Sequence, residues 1–456
     1  MNKIAVGRAV GLVAIFLGLT FSFVTNGLGV APWVDWSIWE RGSTAMVLQR
    51  IEADLLERDT SPLGLADYGV GDESAFDRLT PEGLETLEAT APEDFIPYES
   101  EIGGQAYFWS FLWREMGCSS ISCQHLIGSA ITAAMIVALF LGLSLIGSAG
   151  LGWAWLLAVG TSPWITFAAR NLFWSPGLYF LPAIAAVGLV LARTRLWRSL
   201  AAVGVFTAFL IKYVATGYHE FTAFTMLAAS IPVIAILFGR TQGLPVMRQW
   251  KNSLFILASS AVALAGTLIA HAYILAGDVG QGLERIWVNV ILRRTYGDSA
   301  NYDPQFVASL EASPFEVVWK YLWSSWSTDM LSLAFDKSGS LFSVSLGRFS
   351  FALMIVITLG IVLWRWRRRD ARWRRDASLL ALGFVIPVFW FVAAKGYSYV
   401  HTHLLFFLWY FLYIPALLYV TGAFLWDERH RLGRLLMKSG AFLRFAPHTK
   451  SSSGSA

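Results

Sequence analysis

Four short clusters of ionisable residues stand out against an otherwise apolar chain, and each sits where a hydrophobic run begins or ends. The first is Asp35 with Glu40, just after the first apolar run. The second is Tyr98-Glu99-Ser100-Glu101, followed by Gly103-Gly104-Gln105. The third is Lys212 with Tyr218-His219-Glu220, and the fourth is Lys395-Gly-Tyr-Ser-Tyr-Val-His401-Thr-His403. Arg170-Asn171 lies in a short polar turn between two further runs. Carboxylates can take a proton from an attacking hydroxyl, and Arg, Lys and His can hold or neutralise a departing anion. Polar groups at the edge of a membrane are costly to keep, which makes them candidates for function.

Each cluster has a plainer reading. Asp35 could be a helix-end acid, and Glu99 and Glu101 solvated loop charges. Lys395 and Arg170 could be interface anchors whose stems snorkel. Gly103-Gly104 reads as a turn rather than a phosphate cradle, because no strand-to-helix context surrounds it. His401 and His403 alternate and would face apart on a helix, so they make a poor metal pair by themselves. His219-Glu220 is squeezed into a very short connection with little access to water.

The elements that must position these groups are membrane helices. Hydrophobic residues make up 56% of the 456-residue chain and charged residues only 14%, with a mean hydropathy of +0.54. Soluble domains are about 25% charged, so lipid must cover part of this surface. The 21 Trp and 32 Phe suit membrane interfaces. A spanning helix needs about 20 apolar residues. On that measure spans are expected near 5–27, 126–148, 151–168, 176–193, 198–214, 220–238, 252–276, 342–364, 377–394 and 402–425. Pro163, Pro176 and Pro182 could break or kink the shorter ones.

Ten spans put the N-terminus, Arg193–Arg198, Arg240–Lys251, Arg365–Arg375 and the tail from Arg429 on one side. All are basic, as cytoplasmic segments are. RWRRRDARWRR alone carries seven arginines. A cleaved leader is the alternative for the first run. The expected fold is therefore an all-α polytopic membrane protein with about ten transmembrane helices and two large outer loops. Its parts are the first helix (1–31), an outer loop domain (32–125), helices two to seven (126–276), a second outer loop (277–341), helices eight to ten (342–425) and a cytoplasmic tail (426–456). The first loop is acidic, with 18 Asp/Glu against five Arg. Its stretch WSIWERGSTAMVLQRIEADLLER has apolar residues at helical spacing and is expected to lie along the membrane surface. Cys118 and Cys123 could form a short disulfide loop or remain two thiols. The positive charges sit at helix ends rather than on one face, which argues against nucleic acid.

The layout resembles the GT-C superfamily of membrane glycosyltransferases, which use polyprenyl-phosphate-linked sugars. The resemblance rests on Asp35 after the first span, the long first outer loop, YESEIGGQ, RNLFWSPGLYFLP, GYHEF and the large loop after span seven. It departs where many members carry an adjacent acidic pair, since Asp35 and Glu40 stand five apart. The resemblance implies inverting transfer from a lipid-linked sugar donor to a glycan or lipid acceptor; the short loops and the lack of a soluble nucleotide-sugar domain point to a bacterial inner membrane. Asp35 would be the base, with Glu220 the second choice and Glu40 beside them. Arg170, Lys212 and Lys395 would hold the phosphate, with His219, His401 or His403 assisting, and Glu99, Glu101 and Gln105 would line the substrate site. The aromatic WKYLWSSW segment could stack on sugar faces. No metal is demanded, although a Glu/His set could host Mg or Mn. A transporter or flippase for a lipid-linked saccharide, a surface-polysaccharide polymerase or ligase, and an envelope scaffold are the rival readings.

Overall fold

A computed structural model describes residues 3–30, 41–58, 60–66, 74–92, 94–323, 332–333, 342–343 and 350–438. The chain is a helical membrane protein. Five helices are long and apolar enough to cross a bilayer: 6–25 within α1 (Lys3–Thr25), and the four described next. They are α4 (Ile121–Ile146), α8 (Arg195–Thr216), α10 (Val246–Ala276) and α14 (Arg372–Ala393). At 1.5 Å per residue, the 22 residues of α8 reach about 33 Å. Between them lie three shorter apolar helices, α5 (Ala149–Gly160), α7 (Gly177–Leu191) and α9 (Phe221–Leu237). The α13 (Ser350–Arg367) and α16 (Tyr413–Lys438) helices complete the bundle.

Local chemistry sets the helix starts. Ser120, Ser148, Ser162 and Thr194 each accept a backbone N–H three residues ahead, satisfying one of the orphan donors of a first turn. Pro163 opens α6 (Pro163–Ala168), and Pro176 caps α7; both prolines start helices, while Pro182 lies inside α7 without ending it. The expected span 151–168 is therefore two helices, α5 and α6, divided at Thr161-Ser162. The expected span 402–425 is also divided. Thr402–Leu405 and a 3₁₀ turn, Phe406–Phe411, precede α16. The front of the expected span 342–364 is not helical at 342–343, where β2 (Phe342–Ser343) pairs antiparallel with β1 (Ser332–Leu333).

The first loop folds into a small subdomain. Here α2 (Arg41–Leu55) packs on α3 (Gly104–Arg114) through Ala45, Leu48, Ile51, Ala106 and Trp109. Arg78 makes a buried two-pronged ion pair with Glu52 at 2.8 and 2.9 Å. The α2 helix was expected on the membrane surface; instead nine of its residues from Thr44 to Ala53 are buried. The apolar side chains at helical spacing serve a protein core, and the charges between them pair inside it. The Cys118–Cys123 disulfide joins the end of this subdomain to the first turn of α4.

The opposite end of the bundle is tied by charge. Arg365, 1% exposed, bonds Asp376 and, at 2.9 Å, Asp427, so it links α13, α14 and α16. One arginine of the basic segment is thus structural, while Arg367, Arg368 and Arg369 remain at the surface.

Candidate functional site

The connection between α8 and α9 is three tight residues beyond Gly217. Gly217 has φ of +65°, and a Cβ there would lie 2.0 Å from Oε2 of Glu101. Only glycine lets the backbone turn this closely over the acid. Glu220, the cap of α9, is itself held at φ +54° although it is not glycine. Such a conformation persists only when surrounding contacts fix it.

Those contacts form a buried ionic network at the loop-bearing end. Glu101, Lys212 and Glu220 are wholly buried, and His219 is 5% exposed. Tyr179 donates to Oε2 of Glu220 at 2.9 Å. Lys212 Nζ donates to the carbonyls of Thr216 and Gly217 at 3.4 and 3.2 Å and sits over the Tyr179 ring. Gln105 Nε2 donates to Oε1 of Glu101 at 3.4 Å and to the Phe173 carbonyl at 3.3 Å. His219 Nε2 lies 3.3 Å from Oε2 of Glu101, and Nη1 of Arg294 lies 2.7 Å from its Nδ1. Arg294 also donates to the Tyr98 hydroxyl at 3.3 Å.

The electrostatics follow from this geometry. Burial and then the Arg294 charge pull the His219 imidazole down to about 4. The ring is thus neutral at pH 7, with a lone pair for the guanidinium. Burial pushes the Glu101 carboxyl up, but His219, Lys212 and Arg294 outweigh it and hold it below its ordinary value. Gln105 Oε1 and Glu220 Oε1 have no hydrogen-bond partner among the described residues. An unsatisfied buried acceptor costs about 1–3 kcal/mol.

A second arrangement lies across the 170–173 strip. An open cavity of about 270 Å³ is lined by Arg41, Thr44, Ser122, His125, Arg170 and Asn171, with Phe76, Ile121 and Phe167. It sits where α2 of the loop subdomain meets α4 and α6 of the bundle. Burial and the nearby Arg41 charge bring the Arg170 guanidinium down to about 10. Asn171 Oδ1 accepts from the N–H groups of Phe173 and Trp174, which fixes the turn that carries Arg170. Two guanidiniums and an imidazole around one polar cavity suit an anion with several oxygens, such as a phosphate.

The sequence-derived candidates therefore separate. Glu101, Gln105, Lys212, His219 and Glu220 come together in the buried network, and Arg170 belongs to the basic cavity. Glu99 stands apart from Glu101, half exposed and ion-paired with Arg285 of α11 (Val279–Ile286). Glu101 is not the solvated loop charge its sequence setting allowed. Lys395 is neither a snorkelling anchor nor near the cavity. It is 7% exposed, and its ammonium donates to the carbonyls of Leu310 and, at 2.8 Å, Ala312. The His401 ring lies tilted against Tyr397 at 4.4 Å, and Tyr397 stacks on His219 at 5.6 Å. Asp35 and Glu40 lie outside the described residues, as does the side chain of His403. In the second loop, Trp319 of α12 (Pro314–Trp323) is half exposed, whereas Tyr321 is buried on Phe391 at 3.8 Å. Among the described residues no set of three or more His, Cys, Asp or Glu could hold a metal ion.

Sequence reading missed Arg294, Tyr179, Arg41 and His125. Arg293-Arg294 follows the apolar run IWVNVIL, and that doublet was the available signal. Tyr179 is one aromatic among many.

No family model, curated protein or solved structure matches this chain.

Proposed function

We propose that the chain is an inverting glycosyltransferase of GT-C type, taking a sugar from a polyprenyl-phosphate carrier at the outer face of a bacterial inner membrane. The observation that carries this reading is the Arg41–His125–Arg170 cavity at the seam between the outer subdomain and the bundle. A lipid-borne phosphate can reach that seam from the bilayer and a hydroxyl acceptor from water or lipid. Asp35 precedes Arg41 by six residues, which supports it as the base. In the reaction the acceptor oxygen bonds the anomeric carbon as the bond to the phosphate oxygen breaks. The hydroxyl proton passes to the Asp35 carboxylate, and the arginines stabilise the departing lipid phosphate. Glu220, the second choice, is wholly buried and engaged by Tyr179, which closes it to an acceptor hydroxyl.

The same reading places ten spans in the membrane, with both termini and the arginine-rich segment in the cytoplasm. The five long apolar helices each coincide with an expected span, and every expected inner segment is basic. A flippase would use a similar anion pocket, and an assay of transfer separates the two.

The test is sugar transfer from a synthetic polyprenyl-phosphate sugar in proteoliposomes. Asp35→Asn should lower kcat by about 10²–10⁴-fold. Arg170→Gln should raise the donor KM as well, because it weakens ground-state phosphate binding. Wild-type transfer by well-folded Asp35→Asn would remove Asp35 from the role.

A further inference from the structure

The buried network opens on its other side into a separate cavity of about 260 Å³, walled by Phe221, Leu264, Leu268 and Trp390 and ending on His219 and Arg294. Leu264 and Leu268 belong to α10 and Trp390 to α14, both long enough to span. The slot therefore lies among membrane helices, with apolar walls at the side of the bilayer and a guanidinium at its loop-bearing end. Val290 and Ile291 also line it, from the π-helical turn Trp287–Leu292 that delivers Arg294. Such turns are rare and concentrate at functional positions.

Arg294 is the informative residue. It contacts His219, the Tyr98 hydroxyl and the face of Tyr397 at 5.2 Å. Among the described residues no carboxylate lies within ion-pairing distance of it. Glu101 is reached only through His219, which is neutral. Arg293 beside it adds a second positive charge. A guanidinium at the end of an apolar slot, faced by a neutral ring and phenols, matches an amphiphile with an anionic head and a hydrocarbon chain.

We infer that this slot binds an anionic lipid, its phosphate head on Arg294 and the first part of one chain along Leu264, Leu268 and Trp390. The site is distinct from the Arg41–Arg170 cavity and stands whether or not the chain transfers sugar. The shared chemistry is a phosphate, and the slot distinguishes a lipid phosphate from the free ion by its walls.

Native mass spectrometry of the purified full chain, titrated with dioleoyl phosphatidylglycerol, dioleoyl phosphatidylcholine or inorganic phosphate, tests this. The anionic lipid should bind at least about tenfold more tightly than the zwitterionic one, as expected for a charge-assisted contact. Arg294→Gln should abolish that preference, and Leu268→Trp, which fills the slot, should weaken both lipids. Equal binding of the two lipids, or unweakened binding of both in folded Leu268→Trp, overturns the inference. So does Arg294-dependent binding of inorganic phosphate as tight as that of the anionic lipid. Arg294→Gln could fail to fold because Arg294 ties His219 to Tyr98; Leu268→Trp then decides the matter.

Discussion

Nε2 of His219 stands 3.3 Å from Oε2 of Glu101, so the α8–α9 connection and the end of the loop subdomain share one buried acid–imidazole contact. The pair joins regions more than a hundred residues apart in the chain. It makes the loop subdomain part of the bundle rather than an appendage.

This pair predicts an acid-sensitive fold. The His219 imidazole has a folded value of about 4 against an ordinary value of 6.5. Its contribution to stability is therefore fully present above about pH 6.5 and is lost as pH falls toward 4, because the unfolded chain binds the extra proton first. Thermal unfolding in detergent should shift to lower temperature between pH 6.5 and 4.5. His219→Gln should flatten that slope; an unaltered slope would show that other groups govern it.

Charge removal should separate the two neighbouring acids. Glu101→Gln removes a buried negative charge that offsets Lys212 and Arg294 and should cost about 3–5 kcal/mol. Glu99→Gln breaks only a half-exposed pair with Arg285, worth about 0–1 kcal/mol. Comparing the two unfolding temperatures checks both values, and similar losses would contradict the assignment.

Gly217→Ala should destabilise the protein without removing any charge. The methyl group would meet the Glu101 carboxylate, and φ of +65° is unfavourable for alanine. The strain is on the order of 1–3 kcal/mol. Well-folded Gly217→Ala with wild-type thermal stability would show that the turn can relax.

Lys395→Met should lower stability and leave the donor KM unchanged, since its ammonium holds the Leu310 and Ala312 carbonyls. A raised KM at full stability would return Lys395 to the phosphate site. The contrast with Arg170→Gln, measured in the same transfer assay, makes the two cations distinguishable.

The sequence by itself determined that this is a helical membrane protein, because long apolar runs leave the backbone no other way to satisfy its hydrogen bonds in lipid. It also located the polar residues at helix ends, since a charge inside a run would have interrupted it. His219-Glu220 was legible as a confined pair because so few residues separate the two runs. Where the runs break was less legible: Ser162-Pro163 starts a new helix inside one apolar stretch, and hydropathy does not register a cap. The amphipathic pattern of α2 was visible, but period alone does not say whether lipid or protein covers the apolar face.

Only the tertiary structure decided which polar residues meet. Glu99 and Glu101 have nearly the same sequence setting, yet one faces Arg285 at the surface and the other is buried on His219. Lys212 and Lys395 both read as cations at helix ends. One sits between Glu101, Glu220 and Tyr179, and the other fastens a loop through its carbonyls. Arg294 reaches the network from the second large loop, 75 residues beyond His219. Contacts across such separations depend on how the helices pack and on where Gly217 and the π-helical turn aim the chain, and hydropathy along the sequence carries no record of either.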